Sequence, residues 1–381
     1  MFLFSISKQV LSVDDDVDRN FTPDVGFPTF SMEIQSDEKV LIGGSFNRVN
    51  GVLHPKFARL NSNGTVDTEF KVQGGIKTDS GVNNIVRSIA IQSDDYILIA
   101  GQFTEVADIS RNRIARLRPN GELDPSFNPN VDGNILVVMI QPNGKILIGG
   151  DFLNVGGVSR PYVARLNADG TLDTGFNPIL DGEVYEIALQ SDNGQIKILL
   201  GGFFTNKLIR LNSNGTLDTG FRPNVNSFVS TIIVQPDNKI VIAGAFSSVG
   251  GVARTHVARL NSNSTLDMSF NNPVIDNWVE AAALQADGKV VIGGRFSSVG
   301  ALSRDSIARL NTDGALDLNF NPIADGNVRS IVLQTDEKIL IGGSFNNVGG
   351  NSRNFIARLF NDDGFCIPIK TISDGVAVIC L

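Results

Sequence analysis

The feature that most constrains this chain is a unit that recurs seven times along its 381 residues. Its plainest copy runs from Gln285 to Phe320 and reads QADGKVVIGGRFSSVGALSRDSIARLNTDGALDLNF. A glutamine opens each copy, at Gln35, Gln92, Gln141, Gln190, Gln235, Gln285 and Gln334. A Gly-x-Phe element follows, closing on Phe46, Phe103, Phe152, Phe204, Phe246, Phe296 and Phe345. An A-R-L element then places an arginine at Arg59, Arg116, Arg165, Arg210, Arg259, Arg309 and Arg358. Successive copies lie 42 to 57 residues apart, mostly 49 or 50. Self-similarity at such a spacing builds repeat architectures, in which each unit buries its apolar faces on its neighbours.

Within the unit, short apolar runs alternate with turns. Val290, Ile292 and Gly293-Gly294 form one run and Ser306 to Leu310 another, the latter alternating with the period of a strand. Asp287-Gly288 and Asp313-Gly314 are dipeptides of the kind that close hairpins. Nothing in the unit carries a 3.6-residue apolar period. Each unit reads as hairpin turn, strand, loop, strand, turn and short strand, which suits a four-stranded propeller blade. The expected fold is all-β, a seven-bladed β-propeller.

A closing L-D-x-x-F element ends six units, at Asp67/Phe70, Asp124/Phe127, Asp173/Phe176, Asp218/Phe221, Asp267/Phe270 and Asp317/Phe320. The seventh unit has none after Arg358. A matching element stands at the other end of the chain, as Val17-Asp18-Arg19-Asn20-Phe21 followed by Pro23. The N-terminal strand is therefore expected to complete the last blade and to remove the sheet edges of an open array. Phe2 to Val13 is apolar enough for a strand, with Asp14-Asp15-Asp16 as its turn into the closing element.

These motifs resemble the delta-60 repeat β-propeller family: a Q-P-D-G-K-I-L-I-G-G-x-F run, then G-G-x-x-R-x-x-I-A-R-L-N, then D-G-x-L-D-x-x-F-N. The resemblance spans residues 17–361. It departs where a loop is deleted between Phe204 and Leu208, where the linker Lys71 to Val86 is longer, and after Gly364. It implies a propeller, and a family found in large surface and virion proteins of differing roles. A fold of this kind does not itself define an activity.

Thirty-nine glycines and one tryptophan fit a turn-rich β protein. A net charge of −8 disfavours sequence-independent nucleic-acid binding, which needs a basic face. No apolar run approaches the ~18 residues of a membrane-spanning helix, so no membrane insertion is expected. Met1 to Ile6 lacks the basic start of a signal peptide, so synthesis in the cytoplasm without a cleavable leader is expected. Cys366 and Cys380, the only cysteines, can pair or stay as free thiols according to compartment. His54 and His256 are the only histidines. They are expected at the surface, and no metal or cofactor is expected.

A side chain present in all seven copies cannot mark one asymmetric site, so the repeated arginines and aspartates are expected to pair within or between blades. A basic loop residue recurs at Arg113, Arg160, Arg254, Arg304 and Arg353, with Lys56 in the first copy, and is assigned to the scaffold too. The variable positions are different. Five residues before each glutamine stand Phe30, Arg87, Leu136, Tyr185, Ser230, Glu280 and Arg329. In a propeller the first strand lines the axis, so these seven should ring one mouth of the channel, as a ligand surface or as an unconstrained solvent ring. The missing fourth-copy loop and the long linker Gln73 to Asn84 make the disc asymmetric and can mark a docking edge.

After residues 1–364, the segment 365–381 changes character. Two β-prone runs around Asp374-Gly375 read as a short C-terminal hairpin. Such a hairpin is marginal alone, so Phe365, Ile367, Ile369, Val376, Val378 and Leu381 should pack on the disc or on a partner. This tail is the candidate assembly contact.

No catalytic signature is visible. Glu186 and Glu280 stand near first strands of different blades, which is weak ground for a carboxylate pair. The first reading is a non-enzymatic structural or interaction protein. By the resemblance it is a phage virion component of the tail, baseplate or fibre, partnered by other virion or surface proteins and by a host receptor or glycan. The alternatives are a bacterial adhesion propeller that binds glycan or protein, and a propeller lyase or hydrolase.

Overall fold

In the computed structural model the described residues are 16–73, 81–192 and 194–361, with the strand backbones of 366–370 and 376–380. Among them there is no α-helix, and the seven units form a β-propeller. Each unit is a three-stranded antiparallel sheet. In the sixth unit the inner strand Val279–Leu284 pairs with the middle strand Val290–Gly294, which pairs with the outer strand Ile307–Leu310. The inner strands contact one another from unit to unit, and the seventh unit's inner strand, Val328–Leu333, contacts the first unit's, Thr29–Ile34.

Two parts of the expected blade differ in the structure. The fourth strand is only a single bridge, Leu310↔Leu316 in the sixth unit and its counterparts elsewhere. The loop between middle and outer strands is itself a small hairpin in six units, for example Ser298–Val299 paired with Leu302–Ser303. The fourth unit lacks it, because Thr205-Asn206-Lys207 is too short to fold back. Its inner pair, Glu183–Asp192 with Gln195–Phe203, is correspondingly longer.

With so little ladder to hold the fourth leg, side chains hold it instead. Arg309 Nε donates to Asp317 Oδ2 at 2.8 Å, and its guanidinium lies 4.7 Å from the centre of the Phe320 ring. The Arg–Asp pair thus forms within a unit, while a second guanidinium nitrogen crosses to the next one. Arg59 Nη1 donates to Pro119 O at 2.8 Å, Arg259 Nη1 to Thr312 O at 2.7 Å, and Arg358 Nη1 to Ser62 O at 2.6 Å. Burial alone would raise the Asp267 carboxyl, but hydrogen bonds from Ser269, Lys239 and Arg259 hold it well below the usual range.

At the N-terminal end, Val17 bridges Leu359 and Asp18 N donates to Arg358 O at 2.8 Å. Arg358 Nε donates to Asp18 Oδ2 at 2.9 Å, and its guanidinium lies 4.5 Å from the Phe21 ring centre. Asp18 and Phe21 stand to Arg358 as Asp317 and Phe320 stand to Arg309. Residues 1–15 lie outside the described residues.

The apolar core is divided among the seams between neighbouring units. Val291 and Ile307 of the sixth unit pack with Val328, Ile331 and Ile341 of the seventh. Leu340 and Ile356 of the seventh pack with Met32, Ile42 and Phe46 of the first. The glycine pair serves this packing: a Cβ on Gly293 would sit 2.5 Å from Val328 Cγ1 of the next unit. On Gly294 it would collide with the carbonyl of Trp278, the residue just before the unit's own inner strand.

The loop arginines need a correction. Arg111, not Arg113, matches Arg160: both reach their neighbour's carbonyl (Ser110, Ser159) and a turn carbonyl fourteen residues on (Pro125, Thr174). Arg113 and Lys56 lie two residues later, with φ of 68° and 65°, where Tyr162, His256, Ser306 and Phe355 also adopt the left-handed conformation. What repeats there is a backbone shape, so identity varies and alignment by charge slips.

Removing one partner of a buried ion pair leaves an uncompensated charge and costs about 3–5 kcal/mol. Asp18→Ala is therefore expected to lower stability to chemical denaturation as much as Asp267→Ala does. A near-silent Asp18→Ala beside a damaging Asp267→Ala would deny the N-terminal element a structural role.

Candidate functional site

Every inner strand slips register against its middle strand by one residue, between Thr29 and Ser31 in the first unit and at the matching place in the other six. The residue passed over is Phe30, Arg87, Leu136, Tyr185, Ser230, Glu280 or Arg329. Such a bulge leaves its residue out of the ladder and re-aims the side chain. The glycine of each middle strand that faces the bulge explains the geometry: the carbonyl before it comes too close for any Cβ.

Phe30, Arg87, Leu136, Tyr185, Glu280 and Arg329 line one cavity of about 200 Å³. Ser230 is not among the lining residues. Its hydroxyl lies 2.6 Å from Val279 O of the next unit and 3.1 Å from Ala243 O, so it is occupied by backbone.

The cavity has two unlike sides. On one, Arg87 and Arg329 both stack on Phe30, at 4.4 and 5.3 Å from the ring centre. Arg329 Nη1 lies 3.6 Å from Glu280 Oε2, and Arg295 Nε donates to Glu280 Oε1. Burial above all, then repulsion from Arg329, lowers the pKa of Arg87, against the attraction of Glu280. On the other, the lining residue Tyr185 joins an aromatic arc whose hub, Phe228, is not itself a lining residue. Phe228 meets Tyr185 edge-on at 5.6 Å, Trp278 at 5.1 Å and Phe203 at 6.4 Å. Arg295 lies over Trp278 at 5.2 Å and Lys207 over Phe203 at 4.5 Å. Phe203 remains 55% exposed and Trp278 39%. The Tyr185 hydroxyl is raised by burial and then by its hydrogen bond with Glu183.

Phe203, Phe228, Trp278 and Arg295 are invisible to a search for repeated residues. A signal was nonetheless present. Phe228 and Trp278 stand two residues before the bulge, and Phe203 and Arg295 fill the variable place in Gly-x-Phe. The fourth, fifth and sixth units each carry one aromatic at one of these two places, Phe203, Phe228 and Trp278 in turn.

Other sequence candidates fall elsewhere. Glu186 does not line the cavity beside Glu280; it stands next to the bulge, on the strand face where Ala188 joins the seam with the following unit. Contrary to the surface expectation, His256 is half-buried, with Nδ1 3.0 Å from Gly244 O, and burial lowers its pKa. His54 borders a small crevice with Pro55, Phe57, Val72 and Gly81. Among the described residues no group of three His, Cys, Asp or Glu is placed to hold a metal ion. Linker residues 74–80, Phe365 and Leu381 lie outside the described residues. Cys366–Lys370 and Val376–Cys380 pair antiparallel, which fixes the backbone register of Ile367, Ile369, Val376 and Val378.

The sequence profile described as a domain of unknown function (DUF5122) β-propeller matches residues 35–70, 92–127, 141–176, 191–221, 235–270, 285–320 and 334–364. No curated protein matches the chain. Among solved structures, the WD40 β-propeller domain of Doa1 aligns with TM-score 0.57 at 13% identity, over 91% of this chain and 97% of that one. Virginiamycin B lyase from Staphylococcus aureus aligns with TM-score 0.56 at 14% identity, over 91% and 97%. The extracellular domain of BT3049 from B. thetaiotaomicron, named for a hybrid two-component system, aligns with TM-score 0.55 at 14% identity, over 94% of this chain and 42% of that one. At such identities the likeness establishes the fold.

Two inner-strand carboxyls are displaced by burial, Glu33 to about 7 and Glu186 to about 8, from an ordinary value of 4.5. The folded state then holds more protons than the unfolded chain, so stability falls as pH rises from about 4.5 through 7 and 8. Glu33→Gln with Glu186→Gln is expected to raise the melting temperature at about pH 8 and flatten its decline. An unaltered decline would assign the slope to other groups.

Proposed function

The chain belongs to the DUF5122 β-propeller family, and we propose that it is a non-enzymatic interaction module that engages its partner at the cavity mouth. One observation carries this reading. The repeated Arg, Asp, Phe and Gly are spent on the scaffold, whereas six of the seven unrepeated bulge residues line one cavity, and Tyr185 among them joins a cluster of half-exposed aromatics. Exposed apolar groups gathered on a rigid frame are the usual mark of a recognition surface. WD40 propellers and the extracellular part of a two-component system share the fold, which suits this use. The lyase neighbour supports an enzyme reading less well, because Glu280 is held in ion pairs and no histidine lines the cavity.

In this proposal residues 17–21 close the ring and keep the mouth rigid. Residues 365–381 form an assembly tail, and the module sits in a larger surface or virion assembly. Sedimentation of the chain from its native source, with mass spectrometry of the heavy fractions, tests this. A stoichiometric heavy complex is expected, lost in a Trp278→Ala/Arg329→Gln variant that melts like the parent. A chain found only as a free species overturns the interaction reading. Loss on deleting 365–381, with no effect of the mouth variant, would move the contact from the mouth to the tail.

A further inference from the structure

We propose that the cavity mouth is a binding site for an acidic sugar residue, its carboxylate held by Arg87 and Arg329 and its ring laid against the Tyr185–Phe228–Trp278 arc. This rests on the interaction reading above and names the ligand class for the same site.

The charges call for a single anionic group. Two of the lining side chains are cations and one is an anion, in a chain whose net charge is −8. Glu280 is shared by Arg329 and Arg295. Arg87 has no ion-pair carboxylate among the described residues, and its buried Nε has no hydrogen-bond partner. Two guanidinium groups stacked on one phenyl ring repel each other, and the lowered pKa of Arg87 reflects this in part. A carboxylate between them would relieve the repulsion and accept the free N–H groups, the fork-to-carboxylate match for which arginine is suited.

The opposite side calls for a ring with an apolar face and polar edges. A purely apolar ligand would offer nothing to the polar groups of the lining, Glu280 and the Tyr185 hydroxyl among them, which weakens binding. A sugar presents C–H groups to the half-exposed aromatics and hydroxyls to those polar groups. Size agrees. About 200 Å³ lies below the ~300–1,000 Å³ of pockets that engulf drug-sized molecules, and it suits one residue at the end of a longer glycan.

Calorimetric titration of the intact chain with D-glucuronate, D-glucose and N-acetylaspartate tests the assignment. Glucuronate is expected to bind, with glucose about tenfold weaker or worse, the worth of one charge-assisted hydrogen-bond pair. Arg87→Gln should abolish the preference for glucuronate, Trp278→Ala should weaken both sugars, and added salt should weaken glucuronate alone. If Arg87→Gln melts early, Arg329→Gln replaces it, since that side chain is a quarter exposed. Equal binding of glucose and glucuronate overturns the carboxylate assignment, and N-acetylaspartate binding as tightly as glucuronate replaces the sugar with an acidic peptide. Absence of glucuronate binding at millimolar concentration overturns the proposal. Partner complexes that still depend on the mouth would then leave the interaction reading standing.

Discussion

Each outer-strand arginine makes three contacts at once: an ion pair to its own aspartate, a stack on its own phenylalanine, and a hydrogen bond to a turn in the next unit. The fourth leg of a unit joins the sheet by one bridge, too little ladder to fix it. The guanidinium supplies the missing constraint, and its planar fork is what allows contacts in separate directions. Arg309 is fully buried, and Asp317 and Asn361 are among the groups that make its charge tolerable there. Lysine could not span these partners, and a neutral residue would release both the leg and the neighbouring turn.

This division of labour explains how a long chain holds together without a central core. Apolar side chains meet at seams, each seam joining two neighbours, as in other repeat proteins. In four units the glycine before the Gly-x-Phe element lets the next unit's valine approach; Ala100 and Ala243 stand there in the second and fifth units, and at the seam between the seventh and first units Gly342 faces Thr29 and Met32 instead. Polar ties of the arginines run across the same seams, so packing and hydrogen bonding lock the same pairs of units.

Much of the architecture was legible because the repeat compares the chain with itself. The three sheet strands of each unit, the Arg–Asp–Phe clusters and the displaced Asp18/Phe21 pair could be placed by register, while the fourth strand proved a single bridge and the loop a small hairpin. The inner-strand ring was legible as a set of positions, though not as bulges, because a one-residue slip leaves no mark in a period-2 pattern. Arg113 was mismatched with Arg160 because charge was followed where backbone φ was the repeated property. The aromatic arc was missed for the opposite reason: Phe203, Phe228 and Trp278 come from two different places in the unit, and only the fold brings them side by side.

The bulge has a consequence for how such a chain can change. Its backbone is fixed by a glycine opposite and a carbonyl beside it, and the bulged side chain stays out of the ladder; only Ser230 among the seven ties itself to the next unit's backbone. Phenylalanine, arginine, leucine, tyrosine, serine and glutamate all occupy this place in one molecule, on backbones of the same shape. Seven such places around one axis give an alphabet that can be rewritten letter by letter while the frame stays intact. A lineage carrying this frame can alter its recognition surface by point substitution, with little trade between binding and folding.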